Sequence, residues 1–295
     1  MFYIYLALIA QALSALVVLL DKYLISSRAV SKPVVYAFYI TMLSGVVVLI
    51  LPFGIVLAPT AQIVWLSLAI AFTYAFSILF LYEALVISDA SDVAPTVGAI
   101  AALSTLLFSF FILKTGLTQN FLFGFVFLVL GMALMSYFRF SRKALSYVFC
   151  SGLLFALSSV LAKVIFSETT FWNGFFWSRM GNVVVGLSFL LWPGTRRLIF
   201  ENIRSSTVHT KILILGNKFL AGVAFLLLLF AIKLGDVSII NAVSGTQFVI
   251  LVIFALIFTK KFPNYFYESV HHFHTVVQKV AAVILIVLGY FLLFS

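Results

Sequence analysis

About 20 consecutive, mainly apolar residues let an α-helix cross the hydrocarbon core of a bilayer. This 295-residue chain carries ten such runs in close succession. They cover 3–25, 34–57, 62–87, 91–113, 120–138, 145–166, 173–193, 210–233, 237–259 and 276–294. Backbone in lipid must satisfy its own hydrogen bonds, which leaves helices or a closed barrel. The runs are about twice the length of a tilted membrane strand and lack strict alternation, so a barrel is excluded. With 64% hydrophobic residues, 9% charged residues and a mean hydropathy of +1.25, the composition falls outside the soluble range. The expectation is an all-α integral membrane protein with ten transmembrane helices. The first run contains "AQALSA", a small-residue pattern like a signal-peptide cleavage site, but no basic residue precedes it, so it is read as a helix. The single Cys150 excludes an intramolecular disulfide.

The formal charge of +10 would suggest nucleic acid as the partner of a soluble chain. Here thirteen of the eighteen basic residues fall in or beside the odd-numbered loops, among them Lys22, Arg28, Lys32, Arg142, Arg196, Arg204 and Lys260. The other side has Lys114, Lys163 and Lys233, while Arg179 and Lys218 lie inside predicted helices. By the positive-inside rule the odd loops are cytoplasmic and both termini extracytoplasmic, in the inner (plasma) membrane.

Residues 15–22 read "ALVVLLDK" and residues 156–163 read "ALSSVLAK". Aligning Lys22 with Lys163 sets an offset of 141 (163 − 22), which also pairs Ser26 with Ser167, Gly45 with Gly186 and Pro52 with Pro193. At an offset of 147, Ala84 pairs with Ala231, Asp89 with Asp236, Gly98 with Gly245 and Lys114 with Lys261. At 158, "VLG" at 129–131 meets "VLG" at 287–289. Gly, Pro, Asp and Lys coincide in order at helix ends and bends, which argues against similarity by composition alone. The expected domains are 1–140 and 141–295. An odd number of helices per unit inverts the second relative to the first, the arrangement of many secondary transporters.

The terminal lysines of those two segments, "YEALVISDAS", "FAIKLGDVS" and the glycines of the fifth and tenth helices resemble the EamA-like branch of the drug/metabolite transporter superfamily. The resemblance spans nearly the whole chain. It implies a ten-helix, five-plus-five fold, a cavity lined by helices one to four and six to nine, and export of small organic metabolites or drugs. Arg179 matches an arginine common in the seventh helix, whereas its counterpart in the first half is Phe38. Pro95 keeps a proline usual in the fourth helix, and its counterpart is Ala242. The resemblance implies cytoplasmic termini, as in many relatives, contrary to the charge count above.

Arg179 and Lys218 lie at depths where a charge costs at least about 2 kcal/mol unless it snorkels, pairs or faces water. They are candidates for a cationic patch that binds an anionic or zwitterionic, amino-acid-like substrate; the alternative is snorkelling or a structural ion pair. Asn217 adjoins Lys218. Asn241, Ser244 and Gln247 recur every third residue, forming either a cavity stripe or interhelical glue. Tyr36, Tyr39, Tyr74 and Trp177 combine a ring with a polar tip and are further cavity candidates. Glu83 is a candidate for proton coupling or a boundary residue. Asp21, Asp89, Asp92 and Asp236 lie near helix ends, where carboxylates meet water or cap a helix. Lys22 and Lys163 are expected to snorkel to interfaces. Gly124 and Gly131, two turns apart, permit close packing within the bundle or at a dimer face.

The "HHFH" at 271–274 has only His209 as a further histidine, too few for a metal centre by spacing. A solvated amphipathic segment from Pro263 to Lys279 is the simpler reading. The sequence therefore points to a transporter of small molecules working by alternating access, without cofactor, metal or catalytic residue, as a monomer or homodimer. A flippase for amphipathic or lipid-linked molecules is the alternative, and a metal-dependent membrane enzyme a third.

Overall fold

The structure is a computed structural model that describes residues 2–26, 32–88, 90–114, 119–135, 141–205, 207–247 and scattered positions from 249 to 292. Among these, every regular element is helical. Seven units are long and apolar enough to cross a membrane: Phe2–Leu24, Pro33–Phe53, Ala61–Ile87, Asp92–Leu113, Arg142–Glu168, Phe171–Leu191 and Thr210–Leu234. The chain is a multi-pass membrane protein by that measure. Its surface agrees, because large apolar side chains such as Leu49, Phe53, Trp65, Phe111, Leu191 and Phe219 stand exposed.

In chain order the helices are α1 (Phe2–Ser26), α2 (Pro33–Leu43), α3 (Ala61–Ile87), α4 (Ala90–Phe108), α5 (Gln119–Met135), α6 (Arg142–Glu168), α7 (Phe171–Ser188), α8 (Pro193–Ser205), α9 (Val208–Leu234) and α10 (Val237–Val243). Half of these starts are specified locally as follows. Thr60, Ser141, Thr170 and Thr207 each accept a hydrogen bond from the backbone N–H three residues on, satisfying a donor the helix leaves open. Proline at the first turn of α2 fixes its starting dihedral where no N–H is needed.

Three predicted spans are not uniform, the seventh ending in a 3₁₀ turn at Phe189–Leu191. The second tightens to 3₁₀ geometry over Ser44–Phe53, which contains Pro52 and is terminated by Gly54 at φ 66°. A left-handed residue there closes the helix end without a Cβ penalty. The fourth ends in a π-helical turn at Ser109–Leu113. The stretch after the seventh span, expected as loop, forms α8, with Ile199 buried beneath and Arg196 and Arg197 on its polar side. The predicted tenth span and the "HHFH" segment fall largely or wholly outside the described residues, as does most of the ninth span beyond Thr246.

α3 packs along α6, and α1 along α9. In the sequence alignment of the two halves these are corresponding pairs. Lys22 Nζ donates to the Leu85 and Ser88 carbonyls at 2.8 and 3.0 Å, at the end of α3. Lys163 Nζ donates to the carbonyls of Ile232, Lys233 and Gly235 at 2.8, 3.2 and 2.7 Å, at the end of α9. Leu85 and Ile232, and Ser88 and Gly235, stand at the same 147-residue offset. Both lysines therefore clamp a neighbouring helix C-terminus, where the macrodipole and open carbonyls favour a cation, in place of the expected snorkelling.

α7 lies against both α3 and α2. A Cβ on Gly181 would come within 2.6 Å of the Ser67 carbonyl of α3, and one on Gly186 within 2.5 Å of the Thr41 hydroxyl of α2. Glycine at both points is what permits the close crossing. The pair corresponding to α3 and α7, namely α9 and α2, stays apart, and the gap between them forms a cavity.

Candidate functional site

The cavity encloses about 400 Å³, within the range of small-ligand sites. One wall is α2 with its 3₁₀ extension, from Ile40 to Ile50; the facing wall is α9, from Leu215 to Leu226; Tyr74 of α3 and Trp172, Phe175 and Arg179 of α7 form the back. Its polar side chains are Ser44, Tyr74, Trp172, Arg179 and Lys218, and the rest is apolar. Val46 and Leu49 on one rim and Phe219 and Val223 on the other are exposed, so the gap opens sideways toward lipid as well as along the bundle.

Lys218 does not enter this space as a free cation. Its Nζ lies 2.6 Å from Asp21 Oδ1, and both side chains are buried. The same carboxylate accepts hydrogen bonds from Tyr36 at 2.5 Å, Asn217 at 2.5 Å and Tyr82 at 2.9 Å. The Lys218 ammonium also sits 4.3 Å from the Tyr36 ring centre and 5.7 Å from that of Tyr82. Desolvating two ions costs several kcal/mol each, and only good geometry with added hydrogen bonds offsets it. Three neutral donors and two rings supply that compensation here.

Asp21 is the residue the sequence reading assigned to water or a helix cap. It is 5% exposed, because the end of α1 is covered by α2, α3 and α9. Tyr82 was likewise not singled out. Both lie five residues from the end of their helices, Tyr36 lies three from the start of α2, and Lys218 ten from the start of α9. For helices that alternate in direction, all four sit toward one membrane face. The cavity lining from Leu43 to Ile50 and at Trp172 lies toward the other face.

Arg179, eight residues into α7 and so about 12 Å from its start, is 6% exposed and lines the cavity. Its guanidinium is surrounded by the rings of Phe225, Tyr74 and Phe175, with centres at 4.7, 5.3 and 5.9 Å. No carboxylate among the described residues pairs with it, and its Nε has no hydrogen-bond partner.

Other candidates are placed elsewhere. Asn241 donates to Thr105 of α4 at 2.8 Å, and Ser244 bonds the Asn241 carbonyl, so the stripe on α10 serves interhelical packing and neither residue lines the cavity. Gln247 is also away from it. Tyr39 bonds Asn202 at 2.8 Å and ties α8 to α2, while Trp177 donates to the Leu57 carbonyl at 3.0 Å. Glu83 is half-buried outside the cavity; the deeply buried carboxylate of this region is Asp21.

No family model and no curated protein matches the chain. Solved structures do. One, described as "Crystal structure of protein", is 15% identical with a TM-score of 0.67, covering 99% of this chain and 95% of that one. At this identity the likeness speaks for the fold alone, over the whole length of both chains.

Proposed function

We propose that the chain is a secondary-type transporter of small organic molecules, built as two inverted five-helix repeats that alternate access to a cavity between them. It belongs by this reading to the EamA-like drug/metabolite transporters. The observation that carries it is one-sidedness: a cavity walled by helices of both halves ends against a buried, hydrogen-bonded Asp21–Lys218 pair toward one face. The matched lysine clamps at the ends of α3 and α9, and the matched packing of α3 on α6 and α1 on α9, support the repeat.

The two ends of the bundle are held by different chemistry. The repeat counterparts of Asp21, Lys218, Tyr36 and Tyr82 are Ala162, Ala71, Trp177 and Leu229. One closed end therefore rests on an ion pair between α1 and α9, and the other on apolar contact. Passage from one state to the other requires the halves to rock and the ion pair to separate. By the loop charges, which run against the orientation the family resemblance implies, the ion pair faces the cytoplasm and the cavity mouth the outside in this reading. A second reading, transport of amphipathic or lipid-linked molecules, is favoured by the exposed rims between α2 and α9.

Spin-label distances test the rocking. In a Cys150→Ala background, one label pair at Val86 and Phe200 reports the ion-pair end, and a second at Leu49 and Trp172 reports the mouth. The proposal expects two populations in each, with Asp21→Asn lengthening the first pair and shortening the second. A single distribution in both pairs, indifferent to Asp21→Asn, would rule out alternation.

A further inference from the structure

The cavity contains two cations but only one is committed. Lys218 is neutralised by Asp21 at 2.6 Å. Arg179 has no carboxylate partner among the described residues, is 6% exposed, and presents its guanidinium where three aromatic rings converge. A buried cation with an unpartnered Nε–H is costly for folding alone, and the described residues do not supply a carboxylate to balance it. Around it the lining is apolar and aromatic.

We propose that Arg179 is the head-group subsite for an amphipathic organic anion: one carboxylate or sulfonate on an aromatic or short alkyl body. This rests on the transport reading and names the substrate class of the same cavity. The anion's oxygens accept from the guanidinium in the planar geometry that suits carboxylate and sulfonate. The body lies against Phe175, Phe225, Trp172 and the aliphatic wall of α2. Entry is sideways from the bilayer between Leu49 and Phe219, whose exposure leaves an apolar path to the guanidinium.

The same geometry disfavours two neighbours in chemical space. An amino acid carries an ammonium best met by a carboxylate; none lines the cavity among the described residues, and the buried Asp21 already accepts from Lys218, Asn217, Tyr36 and Tyr82. A purely anionic substrate is therefore favoured over an amino-acid-like one. A two-chain phospholipid needs more room than the roughly 400 Å³ beside Arg179.

The test is equilibrium binding of radiolabelled naphthalene-2-sulfonate to the full chain in phosphatidylcholine nanodiscs. Competition with naphthalene-2-sulfonamide and with 2-naphthylmethylamine measures charge selectivity on the unmodified protein. Saturable binding is expected, with both competitors at least tenfold weaker than the sulfonate. Arg179→Gln lowers affinity at least tenfold and Arg179→Lys restores part of it. Val47→Trp, which fills the cavity and leaves Arg179 in place, abolishes binding. Equal competition by sulfonate and sulfonamide, or unchanged affinity in Arg179→Gln, overturns the proposal. So does a tenfold loss of probe binding when a few mole per cent phosphatidylglycerol is added to the nanodiscs at high salt, where surface charge is screened, which would assign the site to anionic lipid. Loss of charge selectivity alongside the anticorrelated spin-label distances would refute the substrate class and leave transport standing. Charge-selective binding without those distance changes would refute transport and uphold the site.

Discussion

Replacing Asp21 by Asn keeps the shape of the side chain and removes one charge from the most buried ionic contact described. Lys218 then remains about 15 Å into α9 by helical rise, beside the Tyr82 hydroxyl at 3.3 Å and the rings of Tyr36 and Tyr82 at 4.3 and 5.7 Å. Breaking a buried pair from one side costs about 3–5 kcal/mol. The cation–π contacts return about 1 kcal/mol, so a net loss of about 2–4 kcal/mol is expected. At about 2–4 °C per kcal/mol for a chain of this size class, melting falls by roughly 4–16 °C. Lys218→Met is expected to cost less, because the stranded carboxylate keeps donors at 2.5, 2.5 and 2.9 Å from Tyr36, Asn217 and Tyr82. The double variant should melt above Asp21→Asn alone, since it leaves no uncompensated cation. Melting by intrinsic fluorescence at a fixed scan rate, in one neutral detergent, gives all four corners of the cycle. If Lys218→Met proves the more damaging single change, or the two losses simply add, the ion pair is not the closure described here.

Arg179→Gln should shift stability by less than about 1 kcal/mol, because the residue gives up ring contacts but also an unpaired buried charge; a loss as large as that of Asp21→Asn would make it structural. Lys22→Met and Lys163→Met should each cost about 1–3 kcal/mol of stability, through loss of charge-assisted bonds to helix-terminal carbonyls, and melting curves that differ grossly between them would break their equivalence. Gly181→Ala should cost about 1–3 kcal/mol by forcing α7 from α3, whereas Gly216→Ala, with nothing within 4 Å of the added methyl, should be neutral. Tyr39→Phe should cost about 1 kcal/mol and increase proteolysis within α8, the helix its hydroxyl tethers through Asn202.

Helix placement was legible because lipid imposes a length on every crossing segment: 62–87 was expected and α3 is Ala61–Ile87, 145–166 was expected and α6 is Arg142–Glu168. Local geometry was less so. Apolar periodicity does not distinguish α from 3₁₀ winding at Ser44–Phe53, although Pro52 followed by Gly54 was an available signal. α8 was passed over because its "TRRLIFENIR" pattern is amphipathic and short, not hydrophobic throughout.

At the site, Arg179 and Tyr74 were found by depth and residue type, but Asp21 was not. A carboxylate near a helix end ordinarily meets water, but three neighbouring helices cover the end of α1. Placing all helices against one pair of membrane planes would have shown Asp21, Tyr36, Tyr82 and Lys218 converging on the same face. The α10 stripe failed for a related reason: a spacing of three turns the side chains through a wide arc, and which neighbour that arc meets is decided by packing against α4.

The central claim is that one face is open to the cavity while the Asp21–Lys218 pair seals the other, and that the two exchange. Labelling of single cysteines from each side of oriented vesicles, with a membrane-impermeant maleimide in a Cys150→Ala background, measures this directly. Val47→Cys should react from the mouth side only, and Ala221→Cys likewise; adding Asp21→Asn should make Ala221→Cys reactive from the opposite face while Val47→Cys becomes protected. Reaction of both positions from the same face with and without Asp21→Asn would contradict the account.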